Sequence, residues 1–123
     1  MGQAAIAAVG DDETSLGLLH LNLTRRGYVV FMALVSQVDA GWAPPGPHDA
    51  LLIDLEAPDP LCWELAARVR AQSWASTSPL LILTVCEPYP ERLASLPAHR
   101  HLRKPWSVPE LVAALGDVLA STN

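Results

Sequence analysis

The chain has 123 residues, half of them hydrophobic and 17% charged, with a net charge of -5. That is enough chain for one domain with a core of its own, and too apolar for a disordered segment. The acidic balance argues against direct capture of nucleic acid or of an anionic membrane surface.

No run approaches the roughly 20 apolar residues that cross a bilayer, and the opening "MGQAAIAAVGDD" lacks the basic start and the length of a signal peptide. A soluble, cytoplasmic protein is the expectation. The two cysteines, Cys62 and Cys86, each sit inside an apolar stretch. They are expected as buried thiols in a reducing compartment, not as a disulfide.

Apolar runs with strand character alternate with helical spacing. Residues 4–9 read as a first strand ending at Gly10. From Thr14, the spacing of Leu16, Leu19 and Leu23 predicts a helix closed by Gly27. Residues 28–32 form a second predicted strand, and 35–42 a short helix stopped by "APPGP". "ALLID", 50–54, is the third strand. "PLCWELAARVRAQ" is a helix with Leu61, Leu65 and Val69 inward and Arg68 and Arg70 towards solvent. "PLLILT" is the fourth strand, followed by barely two helical turns between Pro88 and Pro97. "HRHLR" is a short fifth strand. The last helix, "SVPELVAALGDVLA", has Ser107 as its N-cap and Leu111, Val112, Leu115 and Leu119 in the core.

Five strands alternating with five helices predict a doubly wound α/β fold, flavodoxin-like, with a parallel sheet ordered 2-1-3-4-5. Such sheets bind ligands beyond the carboxyl ends of their strands. Asp11 and Asp12 follow the first strand, Asp54 ends the third, Thr84 ends the fourth, and Lys104 follows the fifth. All fall at one edge. Clustered carboxylates need a cation among them, and oxygen ligands suit Mg²⁺. A carboxylate beside Mg²⁺ can accept a phosphoryl group as an acyl phosphate, with the lysine and the hydroxyl holding phosphoryl oxygens.

Together, "GDDE", "LLIDLEAP", "LILTV" and "RKPW" resemble the receiver domain of bacterial two-component response regulators, over nearly the whole of residues 1–123. The resemblance implies that Asp54 is the phosphoacceptor, served by Thr84 and Lys104. It implies Mg²⁺ held by Asp11, Asp54 and the Glu56 backbone carbonyl, with Asp12 a further candidate ligand; Gly10 in place of an acid makes that binding weak. It also makes His101 the switch position, which usually holds Tyr or Phe. A histidine kinase or phosphotransfer protein would supply the phosphoryl group. An output protein or domain would read the result, with a homodimer among the candidates. The expected role is signal transduction rather than enzymatic turnover.

The departures are specific. The leucine register of the first helix puts Gly10 where receivers carry the first acid of a pair; sliding by one to make Asp11 and Asp12 the pair would bury His20 and Thr24. Val85 replaces a small residue, and Cys62 a glycine. The lost acid, Val85 and His101 favour an alternative, a degenerate receiver acting as a phosphorylation-independent protein-interaction module, which the intact Asp54, Thr84 and Lys104 oppose. A flavin- or nucleotide-binding enzyme is disfavoured, because acids after Gly10 would repel phosphate.

Bland roles stand beside these. Asp11, Asp12 and Glu13 suit the positive end of a helix as caps, and Thr84 alone would be an ordinary strand residue. His99 and His101 lack a third ligand for zinc. An unperturbed His101 on a partner face would make partner binding vary between about pH 6 and 7.5.

Overall fold

The computed structural model describes residues 3–87, 89–95 and 100–120. Its elements run β1 (Ala5–Gly10), α1 (Glu13–Arg25), β2 (Val29–Leu34), α2 (Val35–Asp39), β3 (Ala50–Asp54), α3 (Leu61–Arg70), β4 (Leu80–Thr84), α4 (Pro90–Ser95), β5 (Arg100–Arg103) and α5 (Val108–Ala120). All strand pairs are parallel, in the order β2-β1-β3-β4-β5. Pro88, Pro97 and His99 lie outside the described residues.

Strands β3 and β4 are buried along their whole length, so both faces are apolar up to their terminal residues, Asp54 and Thr84. Alternate residues then divide between two layers. Ala7, Val9, Leu51, Ile53, Leu80 and Ile82 pack with Val35, Val38, Cys62, Trp63, Ala66 and Val69 from α2 and α3. Ile6, Ala8, Leu52, Leu81 and Leu83 pack with Leu16, Leu19 and Leu23 of α1 and with Leu111, Ala114, Leu115 and Val118 of α5. The strand period of two thus feeds one helix layer on each face.

Helix ends follow local chemistry. Asp12 caps α1, its carboxylate accepting from the Ser15 N–H at 2.9 Å. At the other end Gly27 takes φ +91°, and the N–H groups of Gly27 and Tyr28 reach back to the carbonyls of Thr24 and Leu23. This double closure needs a left-handed residue at that point. Ser107 and Glu110 cap α5 reciprocally. Strand β2 passes straight into α2, where the Gln37 side chain accepts from the Leu34 N–H.

Three expectations are corrected. Helix α3 buries Cys62, Trp63, Ala66 and Val69, while Leu61 is exposed. Its inward face includes small residues that a count of leucines passes over. Arg70 does not point freely to solvent: its guanidinium donates to the carbonyls of Ala75 and Ser78, and burial pushes its pKa down. Third, the sulfurs of Cys62 and Cys86 are bonded to each other rather than packed as separate thiols.

Gly10 stands directly opposite Asp54 in the β1–β3 register. A Cβ there would lie 2.8 Å from the Asp54 carbonyl oxygen and 3.3 Å from a Leu16 methyl. The missing acid is therefore also a packing requirement: the strands approach too closely for a side chain. Gly10→Asp would restore the carboxylate only by forcing β1 and β3 apart. It is expected to lower stability by about 1–3 kcal/mol, read as a fall in the urea midpoint at unchanged m-value. A variant as stable as wild type would mean that the two strands separate without cost.

Candidate functional site

Asp54 ends β3 with its side chain wholly buried. A carboxylate withdrawn from water needs charge and donors around it. Lys104, just past β5, supplies the charge: its Nζ lies 2.6 Å from Asp54 Oδ1. Ser15, in the first turn of α1, donates its hydroxyl to Asp54 Oδ2 at 2.8 Å. Lys104 Nζ also reaches Ser15 Oγ at 3.2 Å and pairs with the Glu56 carboxylate. The ammonium so close to Oδ1 compensates the charge of that buried oxygen, which has no hydrogen bond beyond this ion pair.

Lys104 shows the balance of these effects. Burial pushes its pKa down, yet hydrogen bonds to Asp54 and Glu56, together with their charges, hold it above the ordinary lysine value. Its backbone N–H is fixed on the Thr84 carbonyl at 2.7 Å, which anchors the lysine beside β4.

Asp11 does different work. Its Oδ1 accepts from the Glu56 N–H at 2.8 Å and its Oδ2 from the Ala57 N–H at 2.9 Å, which ties the turn after β1 to the loop after β3. Asp12 turns to the start of α1 as a cap, the structural role that the sequence already offered for it. The buried Leu16, Leu19 and Leu23 agree with the register that puts Gly10, not Asp11, beside Asp54.

Thr84 reaches the same edge but faces elsewhere. Its Oγ1 lies 2.8 Å from His101 Nε2, donates to the Cys86 carbonyl and accepts from the Cys86 N–H, both at 3.2 Å. His101 is half-buried, 6.1 Å between ring centroids from Trp63. Burial lowers its pKa and the nearby Arg103 charge lowers it further, while Glu87 pulls upward. The titration window expected for an unperturbed histidine therefore moves to lower pH.

The edge thus gathers Asp54, Lys104, Glu56 and Asp11 around one loop cluster, with Thr84 and His101 linked beside it. Ser15 was missed by the sequence reading. Its signal is helical spacing: Ser15, Leu19 and Leu23 form one i, i+4, i+8 row, so a hydroxyl continues a buried leucine row to the strand ends. Ser15, Glu56, Val85, Lys104, Pro105 and Trp106 line an open pocket of about 420 Å³ over the carboxylate. Its charged lining is Lys104 and Glu56, paired with each other above the buried carboxylate.

No family model matches the chain, and no curated protein matches it. Solved structures do. The chemotaxis response regulator CheY4 of Vibrio cholerae is 25% identical with a TM-score of 0.69, over 94% of this chain and 98% of its own. The non-phosphorylated HemR receiver domain from Leptospira biflexa is 27% identical at a TM-score of 0.72, over 96% and 95%. The receiver domain of sensor histidine kinase PA1611 from Pseudomonas aeruginosa has a magnesium ion coordinated in its active site cleft. It is 22% identical with a TM-score of 0.68, over 98% and 99%. With its strand order and its site edge as found, this chain has the receiver-domain fold of two-component response regulators.

Proposed function

We propose that the protein is a phosphorylation switch rather than a turnover enzyme, accepting a phosphoryl group on Asp54 from a histidine kinase or phosphotransfer protein. The observation that carries this is the Asp54 carboxylate itself. It is wholly buried, compensated by the Lys104 ammonium at one oxygen and the Ser15 hydroxyl at the other. The Asp54 carboxylate is the nucleophile, forming the new P–O bond through one oxygen as the donor's bond breaks. Lys104 then passes from the carboxylate to the phosphoryl oxygens, whose charge it neutralises. Thr84 must leave His101 and Cys86 to reach the same oxygens, and this couples the chemistry to β5 and to an output partner.

The residues suit Mg²⁺. Asp54 Oδ1 has a lone pair without a donor, each Asp11 oxygen holds one N–H and keeps lone pairs free, and the Glu56 carbonyl follows Asp54 by two residues. When bound there, the ion would offset negative charge that Lys104 alone does not cover. With Gly10 contributing no carboxylate, affinity is expected to be low.

Incubation with Mg²⁺ and a small phosphodonor is expected to add one phosphoryl mass slowly to wild type, none to Asp54→Asn and far less to Asp11→Ala. Beryllofluoride should perturb Thr84 and His101 signals. Neither an adduct nor a beryllofluoride response would favour the phosphorylation-independent interaction module instead.

Glu56 competes with phosphoryl oxygens for the Lys104 ammonium. The pair is partly exposed and is worth at most about 1 kcal/mol. Glu56→Gln is expected to raise the initial phosphorylation rate by about two- to fivefold, a barrier change within that energy. A rate below wild type would instead make Glu56 a needed positioner of the lysine.

The depressed His101 pKa also fixes a sign. The unfolded chain protonates this histidine at about pH 6.5, before the folded chain does. Stability tied to the neutral ring is present above that value and is lost as pH falls from it through the lower folded value. His48 shifts the same way through burial, opposed by Asp49, so the comparison must isolate His101. His101→Phe should lose less stability than wild type between about pH 7 and 5, measured by urea titration at each pH. Equal losses would mean that folding does not hold His101 neutral.

A further inference from the structure

Cys62 occupies the first turn of α3 and is wholly buried; Cys86 lies two residues beyond the end of β4 and is 5% exposed. Their sulfurs join segments 24 residues apart in sequence. The join lies where the site's two loops meet. Cys86 holds the Thr84 hydroxyl with both its N–H and its carbonyl. Its Sγ is 3.5 Å from the Ala57 carbonyl oxygen, and the Ala57 N–H is bound by Asp11. The location serves both redox states. As a disulfide the pair bolts the loop carrying Thr84 to α3; as a thiol, Cys86 has an acceptor for its S–H in Ala57.

We propose that Cys62 and Cys86 form a reversible redox latch on the receiver switch. Closed, it keeps Thr84 on Cys86 and His101; open, it frees the hydroxyl to turn towards Asp54. The coupling to phosphorylation rests on the Asp54 reading above, whereas the redox site itself does not. The oxidant is a small-molecule disulfide of the glutathione class. The Cys86 thiolate, on the less buried side, attacks one sulfur of that disulfide and expels one small thiolate. The Cys62 thiolate then attacks Cys86 Sγ and expels the second. Two protein S–H bonds are lost, one protein S–S bond forms, and the two expelled thiolates take up the two protons released. Excess small thiol runs the same steps backwards.

The test uses the full chain. After equilibration with oxidised glutathione, denaturation and alkylation, intact mass should show no free thiols in wild type and two after dithiothreitol. Cys62→Ser should instead stop at a single glutathione adduct on Cys86. Amide exchange at residues 84–87 should slow in the oxidised wild type and be indifferent to oxidant in Cys86→Ala. With a phosphodonor and Mg²⁺, the reduced protein should gain phosphoryl mass at least about threefold faster than the oxidised one, as a larger fraction of competent loop requires. Two alkylatable thiols after excess oxidised glutathione would overturn the latch. So would exchange at 84–87 that ignores oxidation, or a phosphoryl adduct that forms at the same rate in both states. A loop that responds to oxidation with no phosphoryl adduct in either state would overturn the Asp54 reading while supporting the redox site.

Discussion

The protein is organised around a carboxylate placed where water cannot solvate it. A buried, uncompensated charge costs several kcal/mol even after local relaxation, so Asp54 can end β3 only if another element delivers a cation to it. Lys104 does so from across β4, which requires β3, β4 and β5 to be parallel and adjacent. The Lys104 N–H on the Thr84 carbonyl holds that geometry, and Ser15 closes the other side from α1. The ion pair therefore ties together three strands and a helix. It is also what any incoming anion must rearrange, because the ammonium that stabilises the resting carboxylate is the group a phosphoryl oxygen would recruit.

The acidic turn follows from the same crowding. A fuller acidic set would place another carboxylate against Asp54, but β1 and β3 lie too close at Gly10 for any side chain. Asp11 is then left to hold the β3–α3 loop by accepting from Glu56 and Ala57. One carboxylate thus shapes the loop that carries the proposed metal-facing carbonyl. The missing charge and the closeness of the strands are two aspects of one arrangement.

Much of this was legible in residue order. The run 50–54 reads as a strand and is one, because a short apolar run between turn signals suits a buried parallel strand. The register of α1 followed from Leu16, Leu19 and Leu23. The convergence of Asp54 and Lys104 followed from strand order alone. Contacts between distant segments were not legible. Cys62 and Cys86 looked like two unrelated core thiols, since nothing local pairs residues 24 apart. Leu61 looked buried by its type, yet at the first position of α3 it projects to solvent while Cys62 and Ala66 turn inward. The orientation of Thr84 towards His101 depends on the diagonal between neighbouring strands, which a linear reading cannot supply.

That diagonal sets what the proposed switch would have to break. In the resting protein the Thr84 hydroxyl is fully used by His101 and by both backbone groups of Cys86, so moving it breaks several weak bonds together. Only a ligand offering comparable bonds, a charged oxygen beside Lys104, could compensate for them. His101 with the hydroxyl withdrawn loses its Thr84 partner and retains the tilted Trp63 ring as a neighbour. The ring then has reason to leave its half-buried position, since a polar nitrogen without a partner is better solvated outside. A phenylalanine at this position would have no such bond to lose, whereas in the proposed switch histidine would turn the movement of one hydroxyl into a change in the exposure of a titratable group. In the proposed switch the site would therefore be coupled to β5 through the Thr84–His101 hydrogen bond.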